Sequence, residues 1–230
     1  MDDKPMQADV SLFLASAVHD MKNSISMLIG FLQKVVNEAD RETFPAWPQL
    51  AQMLYETQRI NSNLMHLLTL YKVGNHLYPF NPETIPIDEF VTEVFAQNRT
   101  LLESKGIELE AEHDPDLYWD FDRDLVAGVI NHALNNAIHY TRDRVRLVVL
   151  ERDGALELHI EDNGRGYPSA MLDEGAAAMR GVDFATGSTG LGLYFSAIVA
   201  KMHRTRSHHG EIRLENRTDE PGGRFVLRLP

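Results

Sequence analysis

The 230-residue sequence contains no cysteine. Disulfides, thiolate metal sites and thiol nucleophiles are excluded together, a composition that suits a reducing compartment. Long apolar runs are also missing: no stretch approaches the roughly 18 uninterrupted apolar residues of a membrane span. The opening MDDKPMQADV is acidic and polar. It lacks the basic-then-apolar order of a secretory signal, so a cytoplasmic location is expected. Basic residues are in short supply, 22 Lys and Arg against 34 Asp and Glu, for a formal net charge of −12. That balance argues against a general nucleic-acid binder, which needs a basic face to displace counterions from phosphates. It leaves room for a local pocket for one nucleotide. What is present is a 43% hydrophobic content, enough for a real core in one large domain or two small ones.

From Ala8 to about Glu38 there is no proline, and the apolar residues keep a strict rhythm. Leu14, Val18, Met21, Ile25, Leu28, Leu32 and Val35 are spaced 4, 3, 4, 3, 4, 3, the seam of a coiled coil or bundle. At ~1.5 Å per residue such a helix is about 45 Å long. After a polar stretch with Pro45 and Pro48 a second seam follows: Leu50, Met53, Thr57, Ile60, Leu64, Leu67 and Tyr71. Two seamed helices on a short connection predict an antiparallel hairpin over residues 8–73. Two helices enclose no core, so the seams are expected to pair with a second copy in a dimeric four-helix bundle.

Residues 74–86 (GNHLYPFNPETIP) hold three prolines and read as a linker. Residues 87–230 then mix helices and strands. Helices are expected at Ile87–Ser104, Arg123–Tyr140 and Leu191–Met202. Strands are expected at Ile107–Ala111, Leu117–Phe121, Val145–Glu151, Ala155–Glu161, Ile212–Leu214 and Phe225–Leu229, with a hairpin turn at Asp153-Gly154. The pattern is α+β, a sheet covered on one face by helices.

Four groups of residues could carry chemistry. In AVHDMKNSISML, His19 follows the seam residue Val18, with Asp20 beside it and Asn23 one turn on. A carboxylate can take the proton of one imidazole nitrogen and leave the other more nucleophilic, and an amide one turn away can orient water. A surface histidine with ordinary polar neighbours is the simpler reading of His19 and Asp20 taken alone. In NHALNNAIHYT, Asn136 offers an amide oxygen to a metal ion. In EDNGRGYP, Asp162 ends a strand where its carboxylate can accept from an exocyclic amine, and Gly164 and Gly166 admit close backbone approach. In GSTGLGLYFSAIVA, Gly187, Gly190 and Gly192 lead into a helix whose first amides can bind phosphate. Each glycine cluster alone is a weak signal; order and spacing carry the weight. His203, His208 and His209 read as solvated loop residues rather than a metal site.

In that order the sequence resembles the transmitter region of bacterial two-component sensor histidine kinases, from about Leu12 to Pro230. HDMKNS resembles the phospho-acceptor box, NNAIHYT the asparagine box, DNGRG and GSTGLGL the two glycine boxes, and GGRFVLRLP the closing strand. The resemblance implies a dimerising hairpin and a Bergerat-type α/β sandwich that binds ATP. It implies His19 as phospho-acceptor, Asp20 as assisting base, and Asn23 as the residue that positions water when a response regulator is dephosphorylated. Asn136 would hold Mg²⁺, with His132 as a second candidate ligand. His139, Tyr140, Asp162, Gly164, Gly166, Gly190, Leu191 and Gly192 would bind the nucleotide, Asp162 at the adenine amine, under a lid spanning roughly Tyr167 to Thr189. Implied partners are a second copy, a response-regulator receiver domain and, since only about ten residues precede the hairpin, a separate sensor protein or a sensing segment of a longer kinase.

The sequence departs from the family pattern at four places. Ser24 stands at a usual proline, His132 at a frequent Asn, His139 at a common Lys and Arg165 at a common Pro. Two rival readings stay open. Related ATPases of the same fold activate water with a glutamate four residues before the metal-binding Asn, but that position is His132. A non-catalytic phosphotransfer or docking module would tolerate erosion of the glycine boxes, which are complete.

Overall fold

The computed structural model describes residues 4–39, 44–173 and 190–230. The chain divides into two compact units, residues 1–78 and 79–230. The first consists of two helices, α1 (Lys4–Glu38) and α2 (Trp47–Gly74). They pack on each other through Leu32 and Val36 of α1 and Trp47, Ala51 and Leu54 of α2, beside their connection. The seams divide in a way their spacing does not announce. Val18 and Ile25 are half-buried and Leu32 is buried, as are, in part, Leu50, Thr57, Leu64 and Tyr71. The alternate members stay in solvent: Met21 at 55%, Leu28 at 49% and Val35 at 46% exposure, and Met53 at 55%, Ile60 at 55% and Leu67 at 52%. Each of these sets repeats every seven residues. Side chains of Leu14 and His19 lie outside the described residues. Ser24 leaves α1 unbroken, its hydroxyl donating to the Asp20 carbonyl at 3.0 Å, the back-bond typical of serine within a helix.

The second unit contains β1 (Glu83–Pro86), α3 (Ile87–Lys105), β2 (Glu108–Glu112), β3 (Tyr118–Phe121), α4 (Arg123–Tyr140), β4 (Arg144–Arg152), β5 (Ala155–Asp162), α5 (Ser169–Asp173), α6 (Leu191–Met202), β6 (Glu211–Asn216) and β7 (Gly223–Leu229). Five strands form one sheet in the order β2-β4-β5-β7-β6. β2 joins β4 in parallel and the other pairs are antiparallel. The parallel edge makes the sheet a mixed one. β1 pairs with β3 in a separate two-stranded ribbon, although β1 lies within the proline-rich stretch that reads as a linker. Pro86 closes β1 and, with fixed φ, serves as the N-cap of α3.

Helices α3, α4 and α6 supply the core with residues such as Phe90, Val129, Leu134, Phe195 and Val199, packed against Leu147, Leu158, Ile160 and Leu227 of the sheet. β5 alternates as ALELHIED. Leu156, Leu158 and Ile160 take one face, while Glu157, His159 and Glu161 take the other. That other face is covered by charge pairing instead of helices. The Glu157 carboxylate, 1% exposed, meets Arg213 at 2.9 Å, His159 at 3.0 Å, Arg228 at 3.2 Å and Arg152 at 3.6 Å. Glu161 meets Arg224 at 2.7 Å, Arg146 at 3.3 Å and Arg217 at 3.5 Å. Burial of Glu157 favours its neutral form, but the His159 hydrogen bond and the surrounding arginines outweigh burial and lower its pKa.

Candidate functional site

Helix α4 starts at an N-cap, Asp122, whose Oδ1 accepts from the Leu125 amide at 3.1 Å. Its core face holds Leu125, Val126, Val129, Ile130, Ala133, Leu134, Ala137 and Ile138. The opposite positions lie outside that core: His132 and Asn136 are half-buried, His139 and Tyr140 exposed. His132 and Asn136 stand one turn apart, with His132 Nε2 and Asn136 Nδ2 3.0 Å from each other. Burial pushes the His132 pKa down to about 4, so this imidazole is neutral at physiological pH. The His139 and Tyr140 rings meet edge to face with centroids 4.8 Å apart.

The central strand β5 delivers Asp162, 7% exposed, to the end of α4. Its Oδ1 accepts from the Gly164 amide at 2.8 Å. Close backbone approach explains the glycines here. A Cβ on Gly164 would stand 2.1 Å from the Tyr140 carbonyl oxygen, and one on Gly222 would stand 1.8 Å from the Asp162 carbonyl oxygen. Both obstacles are backbone, so neither can swing aside. Gly223 faces the other carboxylate oxygen of Asp162 and the Tyr167 ring. Burial and the nearby Asp162 charge push the Tyr167 phenol pKa well above its usual value. Arg165 sets its guanidinium 5.3 Å from the centre of the Tyr140 ring, a cation–π distance.

Gly190 is the N-cap of α6, at φ 55 and with no side chain to cap the helix. The first-turn amides, from Leu191 onward, therefore begin without a side-chain acceptor from the cap. Gly192 packs on α4: a Cβ there would fall 1.9–2.4 Å from three ring atoms of His132. The structure thus brings His132, Asn136 and Gly192 together on one side, and Tyr140, Asp162, Gly164 and Arg165 on another. Gly166, at φ 76, lies against Asn216. Gly187 and residues 174–189 of the expected lid lie outside the described residues. In the first unit His19, Asp20 and Asn23 all belong to α1, with Asp20 and Asn23 exposed.

Several supporting residues escape a reading of the sequence. Asn163 Oδ1 accepts from the Thr141 hydroxyl at 2.8 Å and faces the amides of Arg142, Asp143 and Arg144 at 3.2–3.3 Å. It ties the α4–β4 turn beside Asp162. Asn216 pairs with both backbone groups of Tyr167, accepting at 2.7 Å and donating at 3.0 Å, and so ties the start of the expected lid segment to the end of β6. His203, expected in solvent, is 5% exposed. Its ring accepts from the Asp122 amide at 3.0 Å and donates to the Val199 carbonyl at 2.8 Å, joining the end of α6 to the start of α4. The only local signal for these roles is the Asn-Gly step after Asp162 and the Gly222-Gly223 pair. Among the described residues no group of three or more His, Asp or Glu side chains is arranged to hold a metal ion.

A sheet backed by helices, with a buried carboxylate at a central strand end and a glycine-capped helix, makes an α/β sandwich. Residues 121–230 match the family of histidine kinase-, DNA gyrase B-, and HSP90-like ATPases. Over 228 residues the chain is 24% identical to the sensor protein SrrB of Staphylococcus aureus, which covers 95% of this chain and 37% of SrrB. The chain therefore spans little more than a third of that relative. The Acinetobacter baumannii histidine kinase AdeS superposes with a TM-score of 0.56 at 21% identity, covering 92% of this chain and 96% of that one. Full-length ShkA, solved in complex with AMPPNP, superposes at 0.64 with 17% identity, covering 94% of this chain and 45% of that one. The chain as a whole is related to the transmitter region of two-component sensor histidine kinases. No helix among the described residues is long and apolar enough to cross a membrane.

Proposed function

We propose that this protein is an ATP-dependent histidine kinase that phosphorylates its own His19 and passes the phosphoryl group to an aspartate of a response-regulator receiver domain. The observation that carries the reading is the Asp162 turn. A buried carboxylate with one oxygen held by the Gly164 amide keeps the other for the adenine amine, and Gly164, Gly222 and Gly223 let backbone close around it. Tyr140, half exposed, offers a flat surface to the base. The amides opening α6 suit phosphate oxygens. ShkA, of similar fold, holds AMPPNP.

Asn136 would hold Mg²⁺ through its amide oxygen. One protein oxygen is enough there, because this ion keeps most of its shell as phosphate and water oxygens; a site without a cluster of acidic ligands fits it. The ion would neutralise charge on the β- and γ-phosphates. In the transfer, an imidazole nitrogen of His19 attacks the γ-phosphorus. The bond to the bridging oxygen breaks, ADP leaves, and the proton of the other ring nitrogen goes to Asp20. Positioning supplies most of the rate. The exposed heptads of α1 and α2 support assembly of two copies into a four-helix bundle. Asn23, exposed one turn from His19, would orient water toward the regulator's aspartyl-phosphate.

Incubation with γ-labelled ATP and Mg²⁺ tests the proposal. Acid-labile, base-stable label is expected on the wild type and absent from His19→Gln. Normal labelling of that variant would remove His19 from the mechanism.

A further inference from the structure

The contact between His132 and Asn136 has a direction. The amide nitrogen of Asn136 carries only hydrogens, so it donates and His132 Nε2 accepts at 3.0 Å. Accepting at Nε2 requires a neutral ring with its proton on Nδ1. Two consequences follow. The Nε2 lone pair is committed to the amide and is not available to a metal ion. The carboxamide is held by its nitrogen, which turns Oδ1, the atom able to ligate a cation, away from the ring. The ring itself is held in place. Gly192 in the first turn of α6 comes so close that a Cβ would overlap Cε1, Nε2 and Nδ1 at 1.9, 2.0 and 2.4 Å. Helix α6 thus packs directly on the imidazole, and a side chain at residue 192 would displace it. Among the glycines of that segment, Gly192 serves this packing and Gly190 the helix cap.

We propose that His132 is a positioning residue. Its imidazole, seated against Gly192, holds the Asn136 carboxamide with Oδ1 presented to the divalent cation of a bound nucleotide, and it does not ligate that cation itself. The assignment rests on the reading of Asn136 as the metal-holding residue and adds how that residue is oriented. It also places the phosphate-facing end of α6 and the metal-facing side of α4 against one side chain, so the two halves of the site share a common support.

The first test needs no activity and no ligand. Nitrogen-15 correlation spectra of the metal-free wild-type protein at neutral pH report which ring nitrogen of His132 carries the proton. The Nδ1–H form is expected. A ring protonated at Nε2 would instead donate to Asn136 Oδ1, turning that oxygen inward, and would overturn the proposal. The second test separates nucleotide from metal with His132→Leu and His132→Gln. ADP affinity in EDTA is measured by calorimetry, and Mn²⁺ affinity of the protein–ADP complex by electron paramagnetic resonance. For His132→Leu, Mn²⁺ affinity is expected to fall about 10–100-fold, the usual effect of losing a partner behind a ligand. Metal-free ADP affinity should change less than about threefold. The glutamine variant, which can place an accepting oxygen near the position of Nε2, should recover most of the Mn²⁺ affinity. Equal loss of both affinities in His132→Leu, or no loss of either, would overturn the positioning role. A wild-type complex that takes up no Mn²⁺ would bring down the metal-holding reading of Asn136 together with this one. Mn²⁺ uptake that Asn136→Ala abolishes and His132→Leu leaves intact would sink the positioning role alone.

Discussion

Leu28→Glu tests the assembly of the helical unit most directly. Leu28 is 49% exposed in the single chain, and Met21 and Val35, seven residues to either side, are equally open. Burying the remaining half of a leucine is worth ~1 kcal/mol, so the two copies in a dimer lose about 2 kcal/mol on substitution. A glutamate at the same place must also leave water beside apolar partners, at a cost of several kcal/mol if it stays charged. A total of at least ~4 kcal/mol raises the dimer dissociation constant about a thousandfold. Burial raises a carboxyl pKa in the dimer above its value in the monomer. The neutral form therefore pairs better, and affinity should recover as pH falls through that raised value. Ser26→Glu adds the same charge at an exposed position outside the repeat and should leave the constant within a few-fold. Sedimentation equilibrium measures all three proteins, and circular dichroism checks that α1 and α2 persist. A wild type that is monomeric at ~50 µM, where standard interfaces are formed, would refute the reasoning. So would a Leu28→Glu dimer as tight as the wild type.

Three further outcomes are expected. Asp162→Asn keeps an oxygen for the Gly164 amide but sets an amide nitrogen against the adenine amine. ATP affinity by calorimetry should fall roughly ten- to a hundredfold, the equivalent of ~1.5–3 kcal/mol for one charge-assisted hydrogen bond, and an unchanged affinity would exclude Asp162 from adenine recognition. Glu157→Gln leaves Arg213 and Arg228 facing a neutral buried group. Urea denaturation should show a loss of about 2–3 kcal/mol, below the usual figure for a broken buried pair because these arginines are partly solvated. The folded Glu157 pKa lies below the ordinary 4.5, so its contribution is fully present above that pH and is lost as pH falls through the lowered value. A wild type and Glu157→Gln pair with parallel stability profiles between pH 6 and about pH 2 would contradict this assignment. Asn23→Ala should still label His19 from ATP while losing most regulator dephosphorylation, since the amide has no part in attack on ATP; equal retention of both activities would mark Asn23 as a solvated helix residue.

Local pattern made some elements legible and not others, for a physical reason. β5 reads directly from ALELHIED, because alternation is a property of the strand itself. α4 reads as the helix Arg123–Tyr140, and the β4–β5 turn from Asp153-Gly154, both at positive φ. The partner of β2 does not read at all. ELEAE announces a strand, but its parallel pairing with β4 depends on how α3 and α4 pack, which lies outside the five residues. β1 is shorter still, four residues that follow Pro82 and end in Pro86, and exists only because β3, over thirty residues later, supplies its hydrogen bonds. The helical seams show the same limit in reverse: a 3-4 rhythm identifies apolar positions but does not say which neighbour covers Val36 and leaves Val35 in water. The site follows this rule. Asp162 stands out because its neighbours Gly164 and Gly166 punctuate the chain beside it. His203 looks like a loop histidine because its partner Asp122 is 81 residues away, and Gly222 looks like an ordinary turn because the carbonyl it must clear belongs to Asp162. His132 lies between these cases. Its spacing from Asn136 is visible in the sequence, whereas the approach of Gly192 that seats the ring is not, and it is that approach which argues for a support to Asn136 and against a second metal ligand.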